Sequence, residues 1–152
     1  MTHLNKQDAS KETLENISQT LFLLYGLCEK KIDQFLSKYK LKLTHLNILL
    51  FLSNGRGENF SIADISAHMM LPAEKATGVL DVLIKEKLAL KSQNNYNQDA
   101  HFSISEKGVA FIEDIWPEYD YFIKNLIVLI PNEKQSAFAQ TLSLWAKTLI
   151  RI

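Results

Sequence analysis

The sequence predicts a mainly α fold with a small β-hairpin, and three observations carry that expectation. Between Leu43 and Gly108 the residues read as helix, short helix, longer helix, polar hairpin and the start of a new helix. Long stretches on either side repeat apolar residues every three or four positions, the period of a helix that buries one face. Five glycines and three prolines in 152 residues are too few for a barrel or sandwich built on many tight turns. The order of elements describes a winged helix-turn-helix flanked by long N- and C-terminal helices.

The segment at 10–40 comes first. Leu14, Ile17, Leu21, Leu24, Cys28, Ile32, Phe35 and Tyr39 form a single stripe on one long helix. Thr44 is the expected N-cap of the next helix, which stops at the glycine-bearing run Ser53-Asn54-Gly55-Arg56-Gly57. Ser61 caps a short helix, with Asp64 beside its positive end and Ile62, Ile65 and Met69 as its apolar face. Leu71 and Pro72 break that run and open a third helix over about 73–87, because proline is tolerated where a helix begins and not inside its hydrogen-bond ladder. Its core face is Ala76, Val79, Leu80, Leu83 and Ile84, which turns Glu74, Lys75, Thr77, Gly78 and Asp81 outward. Leu88-Ala89-Leu90 and Phe102-Ser103-Ile104 read as two short strands around a polar tip from Gln93 to Asp99. Ser105-Glu106-Lys107-Gly108 opens a second long helix, with Pro117 as its expected kink, and a last helix starts near Pro131 with Phe138, Leu142, Trp145 and Leu149 on one face.

Composition bounds the rest. A chain of this length holds one domain with a proper core, and 47% hydrophobic residues excludes disorder. No apolar run reaches the roughly 20 residues that span a bilayer, and the start lacks the hydrophobic centre of a signal peptide, so a cytoplasmic protein without a membrane is expected. Net charge is zero, and within 41–108 seven basic residues offset seven acids, which is less positive than a nucleic-acid module usually carries. His3, His45, His68 and His101 lack metal-ligand spacing, and the chain has no glycine phosphate loop, nucleophile elbow or paired acids. No metal, no cofactor and no enzyme activity are expected.

Local motifs narrow the fold further. Leu71 leading into the third helix, Asp81 and Leu83 within it, Lys85-Glu86-Lys87-Leu88 closing it, and Ser103-Ile104-Ser105-Glu106-Lys107-Gly108 after the hairpin resemble the MarR family of bacterial transcriptional regulators. The match spans roughly 65 residues. The resemblance implies one domain over 1–152, with 10–40 and 109–152 as dimerisation helices and 41–108 as the winged helix-turn-helix. It also implies a homodimer on a pseudo-palindromic double-stranded DNA site, acting as a ligand-responsive repressor. The terminal helices support a partner independently, since they carry more apolar surface than a winged helix can cover, with a monomeric helical bundle closing on itself as the alternative.

The candidate contacts depart from the family. Its third helix commonly reads Ser-Arg-Ser-Thr-Val-Thr-Arg, whereas this chain reads Pro72-Ala73-Glu74-Lys75-Ala76-Thr77-Gly78, without arginine at Ala73 or Gly78. Lys75 and Thr77 remain for the major groove, and Glu74 either accepts from a cytosine amino group or simply complements the helix dipole. The family's Asp-x-Arg wing is replaced by Tyr96-Asn97-Gln98, leaving Asn95, Gln98, Lys91 and His101 as wing candidates, with an ordinary polar hairpin as the alternative. Together with Ser61 and Gly78 these residues make up the expected DNA face. A weak or lost DNA-reading function, with protein partners instead, is the competing expectation.

Two further sites follow from the resemblance. A small aromatic or lipophilic ligand would lie between the dimerisation helices and the winged body, lined by Phe22, Tyr25, His45 and Trp116, each of which also fits a plain core role. Cys28 is a redox candidate because some relatives sense oxidants on the first helix. Its place on the apolar stripe, about two turns beyond the usual position, favours an inert thiol.

Overall fold

A computed structural model describes residues 11–94, 97–128 and 130–150, those at 11–14, 93, 94, 97, 98, 126, 149 and 150 by backbone alone. The order is α1 (Lys11–Leu36), a 3-10 turn (Ser37–Tyr39), α2 (Leu43–Asn54), β1 (Phe60–Ser61), α3 (Ile62–Met69), α4 (Ala73–Lys85), β2 (Ala89–Asn94), β3 (Asn97–Ile104), α5 (Glu106–Ile127) and α6 (Asn132–Ile150). Met1–Gly108 and Val109–Ile152 form two compact units. The mainly α class with a small antiparallel sheet is therefore the observed one.

In the first unit the core is built from helical faces that the three-to-four spacing selects. Leu46, Ile48, Leu49 and Leu52 of α2 are buried, as are Ile65 of α3, Ala76, Val79, Leu80 and Leu83 of α4, and Leu88, Ala89 and Phe102 at the sheet. Ile84, expected in the core, is only half-buried at the edge of the α4 face. The sheet has three strands in the order β1-β3-β2, one more than expected. Phe60 pairs with Phe102 and Ser61 with His101, so a two-residue strand too short to show alternation fixes the start of α3 onto the hairpin. The hairpin strands also run further than expected, with Asn94 opposite Asn97. Most of the segment read as a polar tip is thus strand, because the ladder is made by backbone N–H and C=O groups and does not need apolar side chains to continue.

Helix ends explain the other differences. The stripe over 10–40 is not one helix: α1 stops at Leu36, and Lys40 takes a left-handed conformation, φ 58°, before α2. Thr44 is not the N-cap of α2, which begins at Leu43. Its first N–H groups are satisfied from elsewhere: the Leu43 N–H donates to Asp33 Oδ1 of α1 at 2.7 Å, and the Lys42 N–H donates to His45 Nδ1 at 3.0 Å. α4 ends at Lys85, two residues early, because Lys87 is left-handed with φ 62°. Pro117 lies inside α5, which is one continuous helix.

The stripe on α1 is used unevenly. Ile32 is buried, whereas Ile17, Leu21 and Leu24 are exposed; off the stripe Leu36 is buried, while Phe22, Leu23 and Tyr25 are 73%, 63% and 64% exposed. In α6, Phe138, Leu142, Leu144 and Trp145 are likewise exposed. No helix among the described residues is long and apolar enough to cross a membrane.

The α2 cap has a pH consequence. Burial, followed by the Lys42 charge, lowers the His45 pKa below its ordinary 6.5, and an Nδ1 that accepts from a backbone N–H must be unprotonated. The unfolded chain therefore binds a proton first as pH falls. The cap contributes fully above about pH 6.5 and is lost as pH drops through the depressed value. Urea unfolding should show lower stability at about pH 5.5 than at about pH 7.5, with a smaller difference in His45→Asn. Equal pH slopes for the two proteins would remove His45 as the cause.

Candidate nucleic-acid interface

The three-residue break between α3 and α4 sets the helix-turn-helix. Met70 adopts a left-handed conformation, φ 52°, and the Leu71 N–H returns to the Ser66 carbonyl at 3.0 Å, closing α3 as a helix C-cap does. Pro72 at φ −57° and ψ 143° turns the chain out, and α4 begins at Ala73. Proline is thus the residue before the helix rather than its first turn, and its fixed φ suits that place equally.

The other end of the motif is held by Ser105. Its hydroxyl donates to the Lys87 carbonyl at 2.7 Å and accepts from the Gly108 N–H at 2.9 Å. Lys107 Nζ donates to the Glu86 carbonyl at 2.8 Å, and the Ser105 N–H to the Leu88 carbonyl at 3.1 Å. Ser105, Lys107 and Gly108 thus tie the start of α5 to the turn that leaves α4. This fixes the hairpin's base against α4, so helix and wing keep one mutual angle.

Ser61 closes a capping box. Its hydroxyl accepts from the Asp64 N–H at 3.1 Å and donates to Asp64 Oδ2 at 2.7 Å, while its own N–H donates to the same oxygen at 2.9 Å. The Ser61 side-chain and backbone hydrogen bonds, with a smaller contribution from His101, hold the Asp64 carboxyl below the usual carboxylate range.

An open groove of about 410 Å³ lies between the start of α3, the outer side of α4 and the hairpin. It is lined by Ser61, Ala63, Thr77, Lys91, Asp99 and Ala100 among others. The structure therefore brings together three of the residues expected at the DNA face: Ser61, Thr77 and Lys91. Glu74, Lys75 and Gly78 are exposed on α4 and do not line that groove, Glu74 and Gly78 lying opposite the buried face and Lys75 on the flank away from Thr77. The Thr77 hydroxyl donates to the Ala73 carbonyl at 2.8 Å, which leaves its oxygen free to accept. His101 is half-buried in β3, paired with Ser92 next to Lys91, with Nδ1 3.1 Å from the Asp99 carbonyl oxygen. Gln98 stands on the β3 backbone, and its side chain, like Asn95 altogether, lies outside the described residues.

Asp99, Ala63 and Ala100 are groove residues that the sequence reading missed. Continuing the period of the β3 strand back through the supposed tip would have carried Asp99 and Ala100 into the sheet. Lys91 and Asp99 oppose each other in sign within the groove, which limits its attraction for phosphate.

The residues expected around a small ligand are dispersed in character. Phe22 and Tyr25 are exposed on α1, Trp116 is 47% exposed on α5 with its ring 5.8 Å from that of Tyr119, and His45 caps α2. Cys28 is half-buried on α1. Among the described residues no three His, Cys, Asp or Glu side chains are grouped as metal ligands.

No protein-family model and no curated protein matches the chain. Solved structures do. A MarR family transcriptional regulator from Silicibacter pomeroyi is 18% identical, with 96% of this chain and 97% of that one covered at a TM-score of 0.75. A MarR protein from Peptoclostridium difficile is 15% identical, covering 99% and 95% at 0.77. MepR of Staphylococcus aureus in complex with DNA is 15% identical, covering 87% and 95% at 0.71. The chain has the fold of the MarR family of transcriptional regulators, over nearly its full length.

Proposed function

We propose that the chain is a homodimeric, DNA-binding transcriptional regulator, a repressor that leaves a pseudo-palindromic promoter site when a small aromatic or lipophilic ligand binds. The observation that carries this reading is the groove where α4 and the hairpin meet, with Ser61, Thr77 and Lys91 on it, and Lys75 exposed on another side of α4. A convex helix next to a hairpin suits a major groove and its flanking backbone. Two copies related by a two-fold axis would present two α4 helices about one DNA turn, ~34 Å, apart. The exposed aromatics Phe22 and Tyr25 of α1 supply apolar surface for the ligand, and the cytoplasm is where such a protein would act.

Salt dependence tests it quantitatively. Lys75 and Lys91 on both protomers give four cations, so the logarithm of the affinity for the chain's own upstream region should fall with log salt at a slope near −3.6, about −0.9 per phosphate. Lys75→Ala should halve that slope. A protein that holds no upstream fragment specifically at low salt would refute the reading.

One observation favours a second reading. Glu74 and Asp81 flank Gly78 on the outer side of α4, and Asp99 enters the groove, so this face is poor in positive charge. A winged-helix protein that acts through protein partners would bind duplex weakly, with a slope near zero.

A further inference from the structure

Gly78 has no structural explanation within the fold. Glycine is among the least favoured residues inside a helix, yet it stands in the middle of α4. Its φ lies outside the left-handed region, and an added Cβ would meet no described atom within 4 Å. Neither backbone conformation nor internal packing requires it. With Ala76, Val79, Leu80 and Leu83 buried, the helical period puts Glu74, Gly78 and Asp81 on the line furthest from the core. Small size at that point serves only something that approaches from outside.

The two acids say what approaches. Glu74 lies one turn before Gly78 and Asp81 just under a turn after it, and both are exposed. A phosphate brought close to this line would be repelled from both sides. Guanine, which offers the acceptors O6 and N7 in the major groove, would also be rejected by a carboxylate. Cytosine presents a lone amino donor there, without an adjacent acceptor on its own edge.

We propose that α4 reads cytosine: Glu74 accepts a hydrogen bond from the cytosine N4 amino group, and Gly78 lets the helix come near enough for that contact. The inference rests on the DNA-binding reading above and adds to it the base that the departure from an arginine-bearing helix selects. Specificity then comes from a carboxylate on a helix that carries no arginine.

The test enriches duplexes from a random-sequence pool with the full-length protein, then measures affinities of the enriched duplex for three variants. A cytosine should recur at one fixed position in each half-site. Glu74→Gln should weaken binding to that duplex about 10-fold or more and shift enrichment at the same position to adenine, which a glutamine amide pairs with on two atoms. Gly78→Ala should raise the thermal midpoint and still weaken binding about 10-fold, a combination that a merely structural glycine does not produce. Glu74→Gln enriching the parent's sequence with the parent's affinity, or Gly78→Ala binding as tightly as the parent, would overturn the inference and leave DNA binding intact. A pool from which nothing is enriched would overturn the DNA-binding reading itself. Lys75→Ala distinguishes the terms, because it should weaken all sequences alike without moving the base preference.

Discussion

Gly108→Ala should lower stability by about 3 kcal/mol, at the upper end of what overpacking costs. A Cβ built on Gly108 would lie 2.1 Å from the Leu88 carbonyl oxygen and 2.8 Å from Ile104 Cγ1. The first neighbour is backbone, and it is not free to move: the same carbonyl accepts from the Ser105 N–H, and Leu88 is 4% exposed. Relief requires α5 to lift away from the base of the hairpin. That movement breaks the Ser105 bonds to the Lys87 carbonyl and the Gly108 N–H and the Lys107 bond to the Glu86 carbonyl. For a chain of this size the thermal midpoint should fall by roughly 6–12 °C. DNA affinity should fall as well, since the wing loses its fixed angle to α4. A circular-dichroism melt of the variant that stays within about 2 °C of the parent would show that the close approach is not tight in solution.

That contact also shows why part of this fold was legible in the sequence. Ser105-Glu106-Lys107-Gly108 is recognisable because each position has a separate local job, a cap hydroxyl, a carbonyl-reaching amine and a residue without a side chain, and such jobs admit few residue types. Ser61 and Asp64 were equally legible, because a capping box is fixed by neighbours three residues apart. The α4 face was legible from period alone. What the sequence hid depends on distant partners. Nothing near Leu43 announces that Asp33 of α1 will satisfy its N–H, so the conventional cap residue Thr44 took the role on paper. β1 was invisible because two residues carry no alternation, and its pairing with His101 spans 40 positions of sequence. The candidate interface was half legible for the same reason. Ser61, Thr77 and Lys91 come from three elements that local rules locate, whereas Asp99 enters the groove only through the continued β2–β3 ladder.

If the chain forms the homodimer proposed above, Phe22→Glu combined with Leu23→Glu should convert it to a monomer. From Leu21 to Leu27 every residue except Gly26 is apolar, and at 100° per residue these side chains point to all sides of α1 rather than along one stripe. Phe22 and Leu23 are 73% and 63% exposed, with Tyr25 at 64% and Leu27 at 50%. A helix that is apolar all round is a buried helix, and fully burying one such side chain is worth about 1.5–3 kcal/mol. The homodimer proposed above would cover this surface, and the apolar face of α6, with a second copy of the chain. Two carboxylates at the centre of that contact would each have to be desolvated, at several kcal/mol per charge. The dissociation constant should therefore rise by about 1,000-fold or more, which is about 4 kcal/mol. Sedimentation equilibrium reads this directly, and the parent's thermal midpoint should rise with protein concentration while the variant's does not. The same variant links oligomeric state to DNA binding. A monomer brings only one Lys75 and one Lys91 to the duplex, so the salt slope should drop from about −3.6 to about −1.8, and the preference for two half-sites over one should vanish. A variant that sediments at twice the chain mass, or one that loses the dimer yet keeps the full slope, would separate α1 from the interface that sets the spacing of the two α4 helices.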